Sequence, residues 1–411
     1  MQVYDVSAFA AVHPGGPVLL TYAGKDATDV FAAFHAPETW GRLAEFKVGP
    51  LEGTSPPSAP VPPASPLLAD FRTLRSDMKV RGLFKSSPAY YAWKVASTLA
   101  LGATAAACLL TSRDAHTGTV AFGPAASAAV VLALFWQQCG WLAHDFCHHQ
   151  VCAWRPANTA AAYALGNLAQ GFSVAWWKGK HNQHHAAPNE LAGEGSTAAL
   201  DPDIDTLPLL AWSPAVVAAL PVGAPERALL RIQHWLFLPI LLAARLAWAQ
   251  QSVSTVVGLA RAGGKDAAVE VASLAAHYTL YLGAAFTVLP PLAAVAWALG
   301  AQAACGLLLA LVFVQSHNGM EVYTTTHDFV TAQAVSTRDI APGAWADWFT
   351  GGLNYQIEHH LFPGLPRHNL GLVAPAVASL FAKHGLEYEA CGMAMGTRRV
   401  MQTLAGIAAL A

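Results

Sequence analysis

The sequence predicts an all-α membrane protein with four transmembrane helices and additional interfacial helices. Of its 411 residues, 54% are hydrophobic and only 12% are charged, and its mean hydropathy of +0.36 is unusual for a soluble protein of this length. Four apolar stretches are long enough to cross a bilayer, which takes about 20 residues per helix. The net charge of −2 argues against a nucleic-acid-binding protein.

The N-terminal segment contains a glycine motif and two histidines. His13-Pro14-Gly15-Gly16 is followed by His35, which ends the apolar run that begins at Phe31. Glycines let the backbone approach a flat ligand closely, and two histidines among apolar side chains suit axial ligation of a haem iron. The sequence therefore favours His13 and His35 as haem ligands over a simple surface turn.

A run rich in proline, serine and alanine follows, from Leu51 to Pro66. This composition is typical of a semi-rigid tether. At about 3 Å per residue, about 16 residues would let a small domain move by some 50 Å. We therefore predict an N-terminal haem domain at residues 1–50, a linker at 51–66 and a membrane domain at 67–411.

Apolar stretches and prolines define the membrane part. The predicted spans run roughly from Ala92 to Leu110, Ala121 to Ala143, Val271 to Leu289 and Leu292 to Val314. A fifth stretch, Ile232 to Ala247, contains Arg245 and His234. Because these polar side chains disfavour a crossing, we predict that this stretch lies in the interface or re-enters.

Basic residues before the first span set the orientation. These are Arg72, Arg75, Lys79, Arg81 and Lys85. By the positive-inside rule, this side of the membrane is cytosolic. An even number of crossings then places the N-terminus and every histidine cluster on the cytosolic side.

Three clusters are the candidate metal ligands. They are His144-Asp-Phe-Cys-His148-His149, His181-Asn-Gln-His184-His185 and Gln356-Ile-Glu-His359-His360. On a helix, positions i, i+3 and i+4 share a face, so the three histidines of the second cluster can converge on one point. Eight imidazoles and one amide are about the donor set of two ions. Imidazole suits iron, zinc, copper or nickel, so the donor type leaves the metal open.

Several neighbouring residues have two interpretations. His317, at the end of the fourth span, is either a further ligand or an interfacial polar residue. Asp145 and Glu358 either orient ligand histidines or are solvated charges. Trp176 and Trp177 are predicted to be interfacial anchors, with a role in lining a substrate tunnel as the alternative.

Together these motifs resemble those of front-end fatty acid desaturases, in which a cytochrome b5 domain is fused to a membrane di-iron domain. The resemblance covers nearly the whole chain, and its distinguishing mark is Gln356 at the start of the third histidine box. Further matching segments are Gly171 to Lys178, Asp201 to Asp205 and Gly351 to Pro363.

The resemblance implies a small α+β haem domain and a cytosolic di-iron centre. His13 and His35 would hold haem b. The implied iron ligands are His144, His148, His149, His181, His184, His185, His317, Gln356, His359 and His360. Family members begin their haem domain about 30 residues earlier, which implies an N-terminally incomplete domain whose folding depends on haem or on further sequence.

The implied activity is oxygen-dependent insertion of a cis double bond between an existing one and the carboxyl end of a polyunsaturated acyl chain. The substrate would be a fatty acyl-CoA or a phospholipid acyl chain in the endoplasmic reticulum membrane. Electrons would come from NADH through a separate cytochrome b5 reductase, with free cytochrome b5 as a further partner. The delta-4, delta-5, delta-6 and delta-8 positions remain open, with a preference for delta-6 or delta-8.

Three alternatives stay open at the level of sequence. A fused sphingolipid long-chain-base desaturase shares the glutamine, although the matches around Trp176 and Asp201 favour acyl chains. A membrane zinc hydrolase would use the histidines to activate water, and analysis for iron against zinc separates it from a desaturase. An electron-carrier relic would keep the haem domain while its histidine boxes bind nothing.

Overall fold

The computed structural model describes residues 1–16, 18–51, 65–114 and 116–411. The predicted linker at 51–66 lies largely outside these residues. The first part of the chain contains β1 (Gln2–Tyr4), α1 (Val18–Thr21), α2 (Thr28–Phe34) and β2 (Lys47–Pro50). Strand β1 pairs antiparallel with β2, which brings the two ends of this N-terminal unit together.

The remaining elements are almost all helical. They are α3 (Pro66–Val80), α4 (Pro88–Leu110), α5 (Phe122–Cys147), α6 (Arg155–Ala162), α7 (Val174–Ala186), α8 (Pro214–Ala219), α9 (Glu226–Leu230), α10 (Gln233–Leu242), α11 (Ala244–Arg261), α12 (Ala267–Val288), α13 (Pro291–His317), α14 (Phe329–Ser336), β3 (Asp339–Ile340), α15 (Ala344–Phe349), α16 (Gln356–Leu361), α17 (Arg367–Lys383), β4 (Ala390–Cys391) and α18 (Met393–Ala408). A π-helix, Tyr163–Gln170, follows α6. Strand β3 pairs in parallel with β4.

Four helices among the described residues are long and apolar enough to span a membrane, which confirms the predicted number. They are α4, α5, α12 and α13. In α5 and α13, 61% and 56% of the apolar window is buried, against 17% and 22% in α4 and α12. Helices α5 and α13 therefore form the inner pair, and their packed side chains include Trp136, Trp141 and Leu309.

The fifth apolar stretch forms a bent pair of helices. Helices α10 and α11 meet at an angle of 64°. The Ala175 backbone N–H donates to Glu270 Oε1 at 2.8 Å, so the start of α7 lies beside the start of α12. The chain segments before and after the pair therefore lie close together, which supports the predicted re-entrant or interfacial segment over a single bent span.

The same end of the bundle gathers the histidine clusters. The C-terminal ends of α5 and α13 meet the short helices α7 and α16 there. Trp141 Nε1 donates to Phe349 O at 2.9 Å, which fixes the end of α5 against α15. Arg367 donates to Asp145 Oδ2 at 2.5 Å and so joins α17 to the same helix end.

Candidate metal centre

Five histidines form the first group of ligand atoms. His144, His148, His181, His185 and His359 place one nitrogen each within 4.8 Å of one another. The Nε2 atoms of His144 and His359 are 3.0 Å apart, and those of His148 and His181 are 2.9 Å apart. Two ligands at right angles, each about 2.1 Å from an ion, lie about 3 Å apart. This spacing fits a single metal ion.

The second group combines three histidines and an amide. His184, His317 and His360 converge, with the Nε2 atoms of His184 and His317 3.3 Å apart. Gln356 Nε2 lies 3.1 Å from His317 Nε2. Among the described residues, Gln356 Oε1 and His360 Nε2 are buried without a hydrogen-bond partner. Buried lone-pair atoms without a hydrogen-bond partner fit ligands of a second ion, because burial without any partner costs desolvation energy.

Adjacent histidines serve different groups. One turn of α7 separates His181 from His185, and both belong to the first group, whereas His184 belongs to the second. The sequence predicted that all three converge on one point, but consecutive helix positions differ by about 100° in direction. His359 and His360 divide in the same way. The stacked rings of His185 and His360, 4.0 Å apart, place the two groups side by side.

Hydrogen bonds to Nδ1 orient four of these rings so that Nε2 faces a group. Such contacts fix the tautomer and the direction of a metal-binding imidazole. The pairs are His184 with Asp201 at 3.0 Å, His144 with Asp145 Oδ1 at 3.2 Å, His317 with Ser336 O at 3.1 Å, and His360 with Gln333 Oε1 at 2.9 Å. The sequence analysis had assigned no role to Asp201, Gln333 or Ser336. Only Asp201 stood in a segment already noted as a match.

Burial keeps most of the clustered imidazoles neutral. It lowers the pKa of His148, His181, His185, His359 and His360 well below the usual value, and neighbouring histidines lower it further. A neutral imidazole offers the lone pair that a metal requires.

His184 differs from the other clustered histidines because carboxylates face it. Burial lowers its pKa, but Asp201 and Asp203 outweigh that effect and raise it. These carboxylates also place negative charge close to the second group, whose imidazole ligands are themselves neutral.

Two carboxylates within the boxes have distinct environments. Asp145 accepts hydrogen bonds from Tyr91 Oη at 2.8 Å and from Arg367, so it is a paired buried charge beside His144. Glu358 accepts from Tyr388 Oη at 2.9 Å. Burial raises the pKa of Glu358 well above its usual value. Glu358 is fully buried, so it is not a solvated charge.

Two placements differ from the sequence prediction. His149 has a φ of 58° just beyond the end of α5 and lies outside both groups. Trp176 and Trp177 are 9% and 7% exposed, so the interfacial-anchor prediction is wrong. The Trp177 ring stacks on His181 at 4.1 Å, and Trp176 Nε1 donates to Gln251 Oε1. Both tryptophans therefore support the metal-binding helix from inside.

The N-terminal histidines are arranged as a bis-imidazole site. Their ring centres are 6.0 Å apart. His13 Nδ1 lies 3.2 Å from Gly16 O, and His35 Nδ1 lies 3.0 Å from Phe31 O, which leaves both Nε2 atoms for a metal. An iron ligated between them by bonds of about 2 Å would separate the ring centres by about 6 Å. A Cβ atom at Gly15 would lie 2.8 Å from the His13 ring, so a glycine is required there.

Two family models match this chain. Residues 121–392 match the fatty acid desaturase family. Residues 1–52 match the cytochrome b5-like haem/steroid binding domain. The first match contains both histidine groups, and the second contains His13 and His35.

Characterised relatives align along almost the whole chain. An acyl-lipid (9-3)-desaturase of Physcomitrium patens is 44% identical over 99% of this chain and 74% of its own length. A delta(8)-fatty-acid desaturase of Euglena gracilis is 37% identical, covering 94% and 89%. A delta(6)-fatty-acid desaturase of Caenorhabditis elegans is 33% identical, covering 92% and 87%.

Proposed function

The chain belongs to the fatty acid desaturase family, and from this premise we propose that it is an oxygen-dependent front-end desaturase of polyunsaturated acyl chains. It inserts a cis double bond between an existing double bond and the carboxyl end. The observation that carries the proposal is the pair of adjoining ligand groups, linked by the stacked rings of His185 and His360. This arrangement suits two ions acting together.

The chemistry explains why two ions are needed. When bound, two irons supply, with dioxygen and two electrons, the oxidising power that an unactivated C–H bond requires. The protein holds neutral imidazoles at fixed angles through Asp201, Asp145, Gln333 and Ser336. In this assignment the first ion is held by His144, His148, His181, His185 and His359, and the second by His184, His317, His360 and Gln356.

We assign haem b to His13 and His35. The free Nε2 atoms and the match to a cytochrome b5-like domain support this assignment. Electrons would reach the haem from NADH through a separate cytochrome b5 reductase. Free cytochrome b5 is a second candidate donor to the metal centre.

The substrate and location follow from the relatives and the charge pattern. The relative at 44% identity is named an acyl-lipid desaturase, which supports a lipid-bound acyl chain over acyl-CoA. Relatives named for the delta-5, delta-6 and delta-8 positions keep these three positions as candidates. The basic residues before α4 support an orientation in which the histidine clusters face the cytosol. We assign the protein to the endoplasmic reticulum membrane.

Expression in yeast tests the proposal. Cells would be fed separately with linoleic, α-linolenic and longer polyenoic acids, and their fatty acids profiled by gas chromatography and mass spectrometry. A new double bond on the carboxyl side of the existing ones is the expected result. A modified long-chain base with unchanged acyl chains would instead establish the sphingolipid alternative, and purified protein that contains zinc in place of iron would favour hydrolysis.

A further inference from the structure

The N-terminal unit is joined to the metal-binding domain by two ion pairs. Lys25 Nζ lies 2.5 Å from Glu190 Oε1, just after the helix that contains the second histidine box. Arg72 on α3 donates through Nε and Nη2 to both oxygens of Asp29 at 2.9 and 2.8 Å. Asp29 is 6% exposed. A buried carboxylate held by both arms of a guanidinium indicates a specific interface.

Apolar packing continues the same interface. Val30 is 8% exposed and belongs to one buried cluster with Ala186, Phe71 and Phe362. Ala186 ends α7 and Phe362 follows α16, so side chains at the ends of the two short helices that supply the second and third histidine boxes share this cluster with the N-terminal unit. Partly buried side chains of the unit, Val18, Tyr22 and Phe34, pack against this cluster.

One aromatic contact lies between the two candidate metal sites. The Phe34 ring meets the His185 ring edge-on, with centres 5.9 Å apart. Phe34 immediately precedes His35, the candidate haem ligand, and His185 belongs to the first ligand group.

Resting on the proposed function, we infer that the N-terminal unit stays docked on the metal centre and that Phe34 is the contact through which electrons pass. The ion pairs and the shared core hold the unit in one place. The same contacts cover the surface beside α7, so free cytochrome b5 would reach the metal centre by that route only after the unit undocks.

The electron balance is simple. A haem held by His13 and His35 would pass from ferrous to ferric at each passage, and one ferric ion held by the histidine groups would become ferrous. Two passages supply the two electrons that, with two protons and the two hydrogen atoms taken from the acyl chain, reduce one dioxygen to two waters. The reductant is an NADH-dependent reductase, which returns the haem to its ferrous form.

Zero-length cross-linking tests the docking without relying on activity. A carbodiimide joins Lys25 to Glu190 only while these side chains are in contact, and peptide mass spectrometry of the full-length protein in membranes measures the yield. Arg72→Glu places a like charge against Asp29 and is expected to lower the yield at least about tenfold. The charge swap Asp29→Arg with Arg72→Glu is expected to restore it.

A matched control changes charge elsewhere on the same unit. Glu38 is exposed and makes no ion pair within the described residues, so Glu38→Arg is expected to leave the cross-link unchanged. A wild-type protein without the cross-link, or an Arg72→Glu protein with the full yield, would overturn the docking. Neither outcome depends on the proposed function.

Stopped-flow spectroscopy of the haem tests the role of Phe34. In Phe34→Leu, the haem spectrum and the reduction of the haem by the reductase are expected to match wild type. Reoxidation of the haem in the presence of oxygen and acyl substrate is expected to slow at least about fivefold, because the unit stays docked but the ring contact is lost. Phe46→Leu, which alters an aromatic residue packed on Phe9 instead, is expected to reoxidise normally. Wild-type reoxidation in Phe34→Leu would refute this path, whereas failure of the wild-type protein to form any product would refute the proposed function.

Discussion

Replacing Asp201 with asparagine removes the charge that orients His184. Asp201 is fully buried. Both of its oxygens lie 3.0 Å from His184 Nδ1. Its Oδ2 also accepts from the Asn189 backbone N–H at 2.7 Å, and its Oδ1 accepts from that of Asp203 at 2.8 Å. In Asp201→Asn, the amide NH₂ must replace one of these acceptors and face a donor.

Two contributions set the expected effect of Asp201→Asn on folding stability and on metal affinity. An unsatisfied buried donor costs about 1–3 kcal/mol of folding stability. Loss of the partner that orients a ligand histidine lowers metal affinity about 10–100-fold, or about 1.4–2.7 kcal/mol. Because His184 belongs to the second group, iron content is expected to fall from two ions per chain towards one.

Iron per chain in detergent-purified protein, measured by mass spectrometry during titration with a chelator, is the assay. Asp205 lies in the same segment but is exposed, so Asp205→Asn is the matched control and is expected to behave as wild type. Thermal unfolding of each protein separates loss of metal from loss of fold. If Asp201→Asn folds and keeps both ions at wild-type affinity, the assignment of Asp201 as the residue that orients His184 is refuted.

Three further predictions concern the ligand set and its support. Gln356→Ala is expected to lose iron from the second group, whereas Gln356→His is expected to keep it, because an imidazole, like the native amide, is a neutral metal ligand. Equal iron contents in the two variants would contradict this. His149→Ala is expected to keep wild-type iron and activity while His148→Ala loses both, because only His148 lies within a group; matching losses would restore His149 as a ligand. Arg367→Leu leaves Asp145 buried without its cation and is expected to lower stability by about 3–5 kcal/mol, seen in thermal unfolding; an unchanged midpoint would contradict it.

The spans and the three boxes could be found in the sequence because their signals are local. A membrane helix needs about 20 mostly apolar residues, and α13 contains such a run from Leu292 to Val314, in which Gln302 is the one polar side chain. The boundary between α12 and α13 is also local, because Pro290 and Pro291 stand at the start of α13 and proline starts helices well but continues them poorly. His144 and His148 are one helical turn apart, so their shared direction also follows from spacing.

The buried tryptophans show where local reasoning fails. Two tryptophans beside a lysine have the composition of a membrane interface, yet Trp177 lies against His181 inside the protein. Composition reports the preference of a side chain for a mixed environment, and a packed interior beside a polar metal site offers the same mixture. The packing of the surrounding helices places both tryptophans in the interior and not at the membrane interface.

The sequence by itself determined the four spans, the three boxes, the pair of N-terminal histidines and their resemblance to front-end desaturases. Only the tertiary structure decided which histidine joins which group, that His149 joins neither, and that Asp201 orients His184. The reason is physical: the direction of a side chain along one helix follows from its spacing, whereas the ion it can reach depends on the rotation and depth of helices distant in sequence. His144 meets His359, and Phe34 meets His185, only after the chain has folded.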